Sequence, residues 1–167
     1  MYSEDARVSN LLGAMALEVS RLQEVVHESV GQTGAAASAL DTIAAYPGRT
    51  IEQLRKPLGL SQPGAVRLVE RLVGAGWVDR RGSRGRRGFE LHLTAAGRSV
   101  VDELLARRRA ALTPVLEPLS RRERAQLESL LEKLLAARTG DRGDLERLCR
   151  LCERDVCRRC PVAAAQA

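Results

Sequence analysis

The apolar positions of this chain first recur at helical spacing. Val8, Leu11, Leu12, Met15, Val19, Leu22 and Val26 share one face of a 3.6-residue period, which predicts a long amphipathic helix over roughly 5–30. Gly31 to Gly34 interrupts it. Ala35 to Tyr46 predicts a second helix of small residues with Leu40 and Ile43 inward, stopped by Pro47-Gly48. Thr50-x-x-Gln53 is a capping box that opens a short third helix. Pro57 is expected to end that helix early, because the residue before a proline is pushed out of the helical region. Leu58-Gly59-Leu60 then reads as a tight turn.

Ser61 is a good N-cap for a fourth helix, and Pro63 suits its first turn, where no amide hydrogen bond is lost. Ala65, Leu68, Val69 and Leu72 share its inward face. Pro63, Val66, Arg67 and Glu70 fall opposite, with Gln62 and Arg71 at the margins. Gly74 and Gly76 close the helix. Trp77-Val78 and Phe89 to Leu93 predict two short strands. Arg80, Arg81, Arg84, Arg86 and Arg87 lie between them among three glycines, as an exposed basic hairpin tip. From Thr94 a long helix carries Val101, Leu104, Leu105, Leu112, Val115 and Leu116 towards Pro118, and Pro114 should kink or break it. Ser120-x-x-Glu123 is a second capping box, opening a helix with Leu127, Leu130, Leu131, Leu134 and Leu135. Gly140 and Gly143 form a linker to the final segment.

Composition favours this helical reading. The chain has 167 residues, 44% of them hydrophobic, and Phe, Trp and Tyr together number only four, so the core must be mostly Leu, Val and Ala. No apolar run approaches the roughly 18 residues of a membrane span. The polar start MYSEDARVSN has no signal-peptide pattern, so a cytoplasmic location with reduced thiols is expected. The net charge of +6 is unevenly placed: residues 1–48 sum to −4, residues 49–93 to +6, 94–138 to +3 and 139–167 to +1. A basic patch confined to the helix–strand region is the electrostatic footprint of a phosphate-backbone binder.

A recognition helix presents small or polar side chains at its first turns and buries the rest. Ser61, Gln62, Pro63 and Gly64 meet that requirement. Gln62 could read adenine N6 and N7, and Val66 could meet a thymine methyl. Arg67 and Arg71 are placed as phosphate clamps, and the hairpin arginines could track phosphates or enter a narrow minor groove. In these residues the chain resembles the MarR (multiple antibiotic resistance regulator) family of winged-helix regulators. The similarity is carried by Leu58-Gly59-Leu60-Ser61-Gln62-Pro63, Arg67-Leu68-Val69-Glu70-Arg71-Leu72, then Gly76, Val78, Asp79 and Arg80, and Leu93-Thr94-Ala95-Ala96-Gly97-Arg98. It spans about residues 8–138 in element order and is specific mainly over 50–98. Three places depart from the family pattern: Gly85 before Arg86-Arg87, Val66 at a usually polar groove position, and Arg55 with Pro57 in the third helix. The resemblance implies an obligate homodimer built from the first and last long helices. It also implies a pseudo-palindromic operator, repression relieved by a ligand, a metal or thiol oxidation, and a small-molecule pocket between the first, second and fifth helices. Only aliphatic walls are legible there.

All four cysteines lie beyond the region of resemblance, as Cys149-x2-Cys152-x4-Cys157-x2-Cys160. Two thiolate pairs suit a tetrahedral four-cysteine zinc site, although the four-residue gap is short for one. Arg147, Arg150, Arg154, Arg158 and Arg159 are expected to favour thiolates. An iron–sulfur cluster, a thiol–disulfide switch and an inert tail are the alternatives.

The expected fold is mainly α with a small β wing: a winged helix-turn-helix whose long N- and C-terminal helices form a dimerisation domain. The segments are 1–48 (N-terminal dimerisation helix and second helix), 49–93 (DNA-binding region), 94–138 (C-terminal dimerisation helices) and 139–167 (cysteine-rich tail). The expected activity is regulation of transcription by binding double-stranded DNA as a homodimer, with structural zinc in the tail. Sensing through the same cysteines is the first alternative, and a helical protein-interaction module without DNA binding the second. No enzyme is expected: there is no phosphate loop, no Ser/His/Asp ordering and no supported acidic pair. His27 is expected at the surface or margin of the first helix, and His92 facing outward on the wing.

Overall fold

The computed structural model describes residues 4–29, 31–82, 88–153, 156, 157, 160 and 162. Its elements in chain order are α1 (Glu4–Ser29), α2 (Gly34–Ala45), α3 (Ile51–Leu58), α4 (Gln62–Gly74), β1 (Val78–Arg81), β2 (Glu90–Leu93), α5 (Ala95–Leu112), α6 (Arg121–Ala136) and α7 (Arg142–Leu148). Side-chain caps set most helix starts. Thr33, Thr50, Ser61, Thr94, Ser120 and Asp141 each accept a hydrogen bond from a backbone N–H of the first turn they precede. At Thr50 and Ser120 the reciprocal bond from Gln53 or Glu123 completes the capping box.

α2, α3 and α4 pack around one apolar centre. Leu40 and Ile43 of α2, Leu54 of α3, and Leu68, Val69 and Leu72 of α4 meet Val78 of β1, Leu91 and Leu93 of β2, and Val101 of α5. The two strands pair antiparallel, Val78 opposite Leu93 and Arg81 opposite Glu90. A bridge between Arg49 and Leu91 adds the segment after α2 to the far edge of β2. This winged helix-turn-helix, mainly helical with a small wing, is the expected fold.

Two boundaries and one helix differ from expectation, and one break falls where Pro114 predicts it. α3 does not stop before Pro57 but runs to Leu58 with Pro57 buried inside it. In the last turn the proline deletes only the bond to the Gln53 carbonyl. Gly59, at φ 64°, then turns the chain so that its N–H and that of Leu60 reach back to the Lys56 and Arg55 carbonyls. β1 is Val78–Arg81 rather than Trp77-Val78, so Arg80 and Arg81 belong to a paired strand and not to the hairpin tip. The long fifth helix breaks at Leu112, and Pro114 opens a 3-10 turn over Thr113–Leu116. α7 is a helix where the sequence predicts only a linker and tail.

Among the described residues, two helices carry exposed apolar faces. Val8, Leu11, Leu12 and Met15 of α1 are largely exposed, as are Leu130, Leu131 and Leu134 of α6. No helix among the described residues is long and apolar enough to cross a membrane.

Candidate nucleic-acid interface

α4 buries one stripe and bares the other. Ala65, Leu68, Val69 and Leu72 are inside the core, while Ser61, Gln62, Pro63, Arg67, Glu70 and Arg71 are exposed. Gly64 and Val66 are half-buried at the edge of that face. The Ser61 hydroxyl oxygen accepts from the Gly64 N–H at 3.3 Å, which leaves its own O–H free to donate outward. Amide groups of the first helical turn that have no carbonyl partner lie beside it, a natural seat for phosphate. Arg67, Arg71 and Arg80 make no ion pair with any described residue, so their guanidinium groups face solvent uncommitted. Arg81 stands 3.9 Å from Asp79 and is mostly exposed. Arg84, Arg86 and Arg87 lie outside the described residues.

The wing is fastened at its root. Thr94 donates its hydroxyl to the Gly76 carbonyl at 2.7 Å and its N–H to the Trp77 carbonyl at 3.0 Å, and it also caps α5. Arg98 donates to the Leu93 carbonyl at 3.0 Å. Gly97 lies against the Trp77 backbone. The Leu93-to-Arg98 stretch is therefore a joint that orients the wing on α5. His92 is half-buried rather than fully outward, 3.5 Å from Glu90 and beside Gly48.

The region between α1, α2 and α5 is not purely aliphatic. His27, Asp41 and Arg108 line a small cavity there with Val26, Val101 and Leu104. His27 is 8% exposed, so the surface position expected for it is wrong. It lies where α1 turns towards α2, and an apolar stripe ending in Val26-His27 gives no sign of that burial. Its Nδ1 and the Arg108 Nε have no hydrogen-bond partner among the described residues. Burial, reinforced by the Arg108 charge, holds the imidazole below its ordinary range against the opposing pull of Glu24. The cavity has room for about one water molecule.

The cysteines converge after α7. Cys149 is buried at the helix end, its N–H donating to the Leu145 carbonyl. Its Sγ lies 3.9 Å from that of Cys160, close to the edge of about 3.8 Å that a zinc–thiolate tetrahedron would have. Cys152 lies near Cys149 and Cys157 near Cys160, close enough for each thiol to act on its neighbour's titration. The donor set and this convergence fit a thiophilic ion. Among the described residues, however, no three ligands stand in a closed metal-holding arrangement.

Arg154, Arg158 and Arg159 lie outside the described residues, and among the described groups burial works against the thiolates expected from the arginine-rich sequence. Burial pushes Cys149 up to about 12, with the neighbouring Cys152 and Cys160 adding to the rise. Burial also raises Cys152 and Cys157. The cation that opposes this at Cys152 is Arg108 of α5, which sequence proximity could not reveal.

Sequence reasoning also missed an ion pair. Arg49, after α2, meets Glu146 of α7 in a two-pronged contact, Nη1 to Oε2 at 2.8 Å, with the two side chains only 12% and 10% exposed.

A model of the MarR family matches residues 30–87. The transcriptional repressor MprA of Escherichia coli strain K12 is 34% identical over 101 residues, which cover 59% of this chain and 57% of that protein. The chain thus spans little more than half the length of that curated relative. Among solved structures, the apo form of MarR from E. coli superimposes with a TM-score of 0.64 at 26% identity, over 76% of this chain and 96% of that one. The Mycobacterium tuberculosis MarR family protein Rv2887, solved in complex with p-aminosalicylic acid, aligns with a TM-score of 0.61 at 25% identity, over 75% of this chain and 96% of that one.

Proposed function

We propose that this chain is a MarR-type regulator, a homodimeric repressor of transcription that binds a pseudo-palindromic operator, on the strength of its similarity to that family. The observation that carries the reading is the outer face of α4. A capped helix start, Gln62 and the unpaired guanidinium groups of Arg67 and Arg71 point the same way, with Arg80 on the adjoining strand. Side chains from that helix start reach base edges when it enters the major groove, and the arginines then meet phosphates on either side. Gln62 suits adenine in a bidentate contact, and Val66 a thymine methyl. Ser61, Pro63 and Gly64 let the backbone approach closely. Arg81 adds to the basic surface from the wing strand, and Arg84, Arg86 and Arg87, outside the described residues, are proposed to contact DNA as well.

A homodimer supplies the two α4 helices that a two-fold operator requires, with half-sites about one helical turn apart. Exposed Leu130, Leu131 and Leu134 of α6, and Val8, Leu11, Leu12 and Met15 of α1, are the apolar surface that pairing would cover. Cys149, Cys152, Cys157 and Cys160 are proposed to hold zinc, which would supply a cross-link and no chemistry of reaction. The seam between α1, α2 and α5 is the proposed place of a small-molecule inducer, which would have to part these helices because the cavity at His27 and Arg108 holds about one water molecule.

The test is selection of duplexes from a random library, followed by fluorescence anisotropy across a salt series. The expected result is an inverted-repeat consensus and an affinity that falls steeply with salt. No enriched sequence, with a flat salt response, would leave the protein-interaction reading in its place.

A further inference from the structure

We propose that Glu146 of α7 is a positioning residue for DNA binding: by holding the Arg49 guanidinium group it fixes the joint from which both the wing and the helix-turn-helix depart. This rests on the DNA-binding reading above and goes beyond it, because a residue remote from α4 takes part in setting how α4 and β1 are presented.

Arg49 stands between α2 and α3 with its backbone built into the root of the wing. Its carbonyl accepts from the Leu91 N–H at 2.9 Å, and the neighbouring Gly48 N–H donates to the Leu91 carbonyl at 3.0 Å. Leu91 in turn lies opposite Arg80 of β1. Arg49, Leu91 and Arg80 thus stand side by side on three adjacent extended segments, with Arg49 two strand spacings, about 10 Å, from a residue of the proposed DNA surface. On the other side, Thr50 caps α3, which leads through Gly59 to Ser61, the cap of α4. A displacement of Arg49 is therefore passed to the wing by backbone hydrogen bonds and to the recognition helix through two capped helix starts.

The Arg49 side chain leaves that joint towards α7. Its Nη1 donates to Glu146 Oε2 at 2.8 Å, its Nη2 donates to Oε1, and its Cζ lies 4.0 Å from the centre of the Tyr46 ring. Two parallel bonds and a stacked ring fix the plane of the guanidinium group as well as its place. Ion pairs such as Arg21–Glu18, Arg55–Glu52 and Arg107–Glu103 join neighbours on one helix. Arg49–Glu146 joins two elements, and with the side chains 12% and 10% exposed, water cannot readily replace a missing partner. Removing the carboxylate leaves a poorly solvated cation, which must turn away from Tyr46 to be hydrated. Glu146 is itself firmly carried. α7 has only seven residues, too few for a helix that stands alone, and it packs along α3 with Leu145 and Leu148 half-buried. Just past it, Leu151 packs against Val26 of α1, Ala37 of α2 and Leu104 of α5. The pair therefore holds the joint against an element that is fixed on α3 and on the long helices together.

The full chain and its Glu146→Gln and Arg49→Lys variants are titrated by anisotropy against the selected operator and a scrambled duplex, and hydrogen exchange of the Gly48 and Leu91 amides is followed by NMR. Glu146→Gln should weaken operator binding about tenfold, within the range of coupled sites. Binding to the scrambled duplex needs only phosphate contacts and should stay within about twofold of the parent. Exchange at Gly48 and Leu91 should quicken. Arg49→Lys keeps the charge but not the planar two-pronged grip, and should act in the same direction to a smaller extent. Equal losses on both duplexes would mean only that less protein is folded, and would overturn the proposal. So would operator affinity and exchange unchanged from the parent in both variants. If the parent itself selects no duplex, the DNA-binding reading fails, while quicker Leu91 exchange in Glu146→Gln would still show Glu146 holding the root of the wing.

Discussion

A Cβ placed on Gly97 would lie 2.0 Å from the carbonyl oxygen of Trp77. No side chain fits there, so α5 can start this close to the strand only with glycine at its third position. The obstacle is backbone, which has little freedom to move because the same Trp77 carbonyl accepts from the Thr94 N–H. Gly97→Ala should therefore cost about 3 kcal/mol, at the upper end of the usual overpacking range. Chemical denaturation checks it, and a loss under about 1 kcal/mol would show that the joint yields easily.

The exposed face of α4 separates positioning from reading. Arg67→Ala should weaken binding to all duplexes alike and lower the slope of log affinity against log salt by about one. Gln62→Ala should instead cost about 1–3 kcal/mol on the preferred operator and relax selection at one base pair. Anisotropy titrations on the selected operator and on a scrambled duplex distinguish the two. Equal losses on both duplexes for Gln62→Ala would remove it from the base-reading role.

Leu130 and Leu134 are one helical turn apart on α6 and 59% and 54% exposed. Paired substitution to Glu should turn a sedimenting dimer into a monomer, because four charges would enter one apolar seam. Leu12→Glu should act in the same direction from α1. Sedimentation velocity at micromolar concentration reads this, and an unchanged dimer would place the interface elsewhere.

His27 gives a pH dependence with a definite sign. Burial and Arg108 hold its folded-state pKa below the ordinary value, and the groups facing it are Arg108 of α5, Asp41 of α2 and Glu24 of its own helix. Above about pH 6.5 the imidazole is neutral in both folded and unfolded chains. Below that, the unfolded chain takes up the proton first, so stability should fall as pH drops from about 6.5 through the folded-state value. His27→Gln should flatten that part of the curve in urea denaturation between pH 5 and 8. A parent curve that rises towards acid would contradict the burial.

The parts of this molecule that could be read from the chain are those made by neighbours in sequence. Ser61 caps the helix that begins at Gln62, Ala65, Leu68, Val69 and Leu72 recur at helical spacing, and Gly59 turns where a left-handed residue is needed. Local chemistry also misleads where two local rules compete. Pro57 predicts an early stop to α3, yet a proline in the last turn deletes one bond and the Gly59 turn restores the carbonyl partners behind it. Strand length is hard to read because Arg80 and Arg81 look like loop residues, whereas pairing with Leu91 and Glu90 satisfies their backbone regardless of side-chain polarity.

By itself, then, the sequence determined the helix starts, the inward face of α4, the basic character of the region around it and the grouping of four cysteines. Those depend on interactions within a few residues, or on composition alone. Tertiary structure decided that His27 is buried against Arg108, that Gly97 meets Trp77, and that Arg49 closes on Glu146 from 97 positions away. It also decided the direction in which the Cys149 thiol is shifted, because burial raises it and burial is set by distant segments. Periodicity tells which face of a helix is apolar. Which polar group is carried inside with it depends on what the rest of the chain brings to that face.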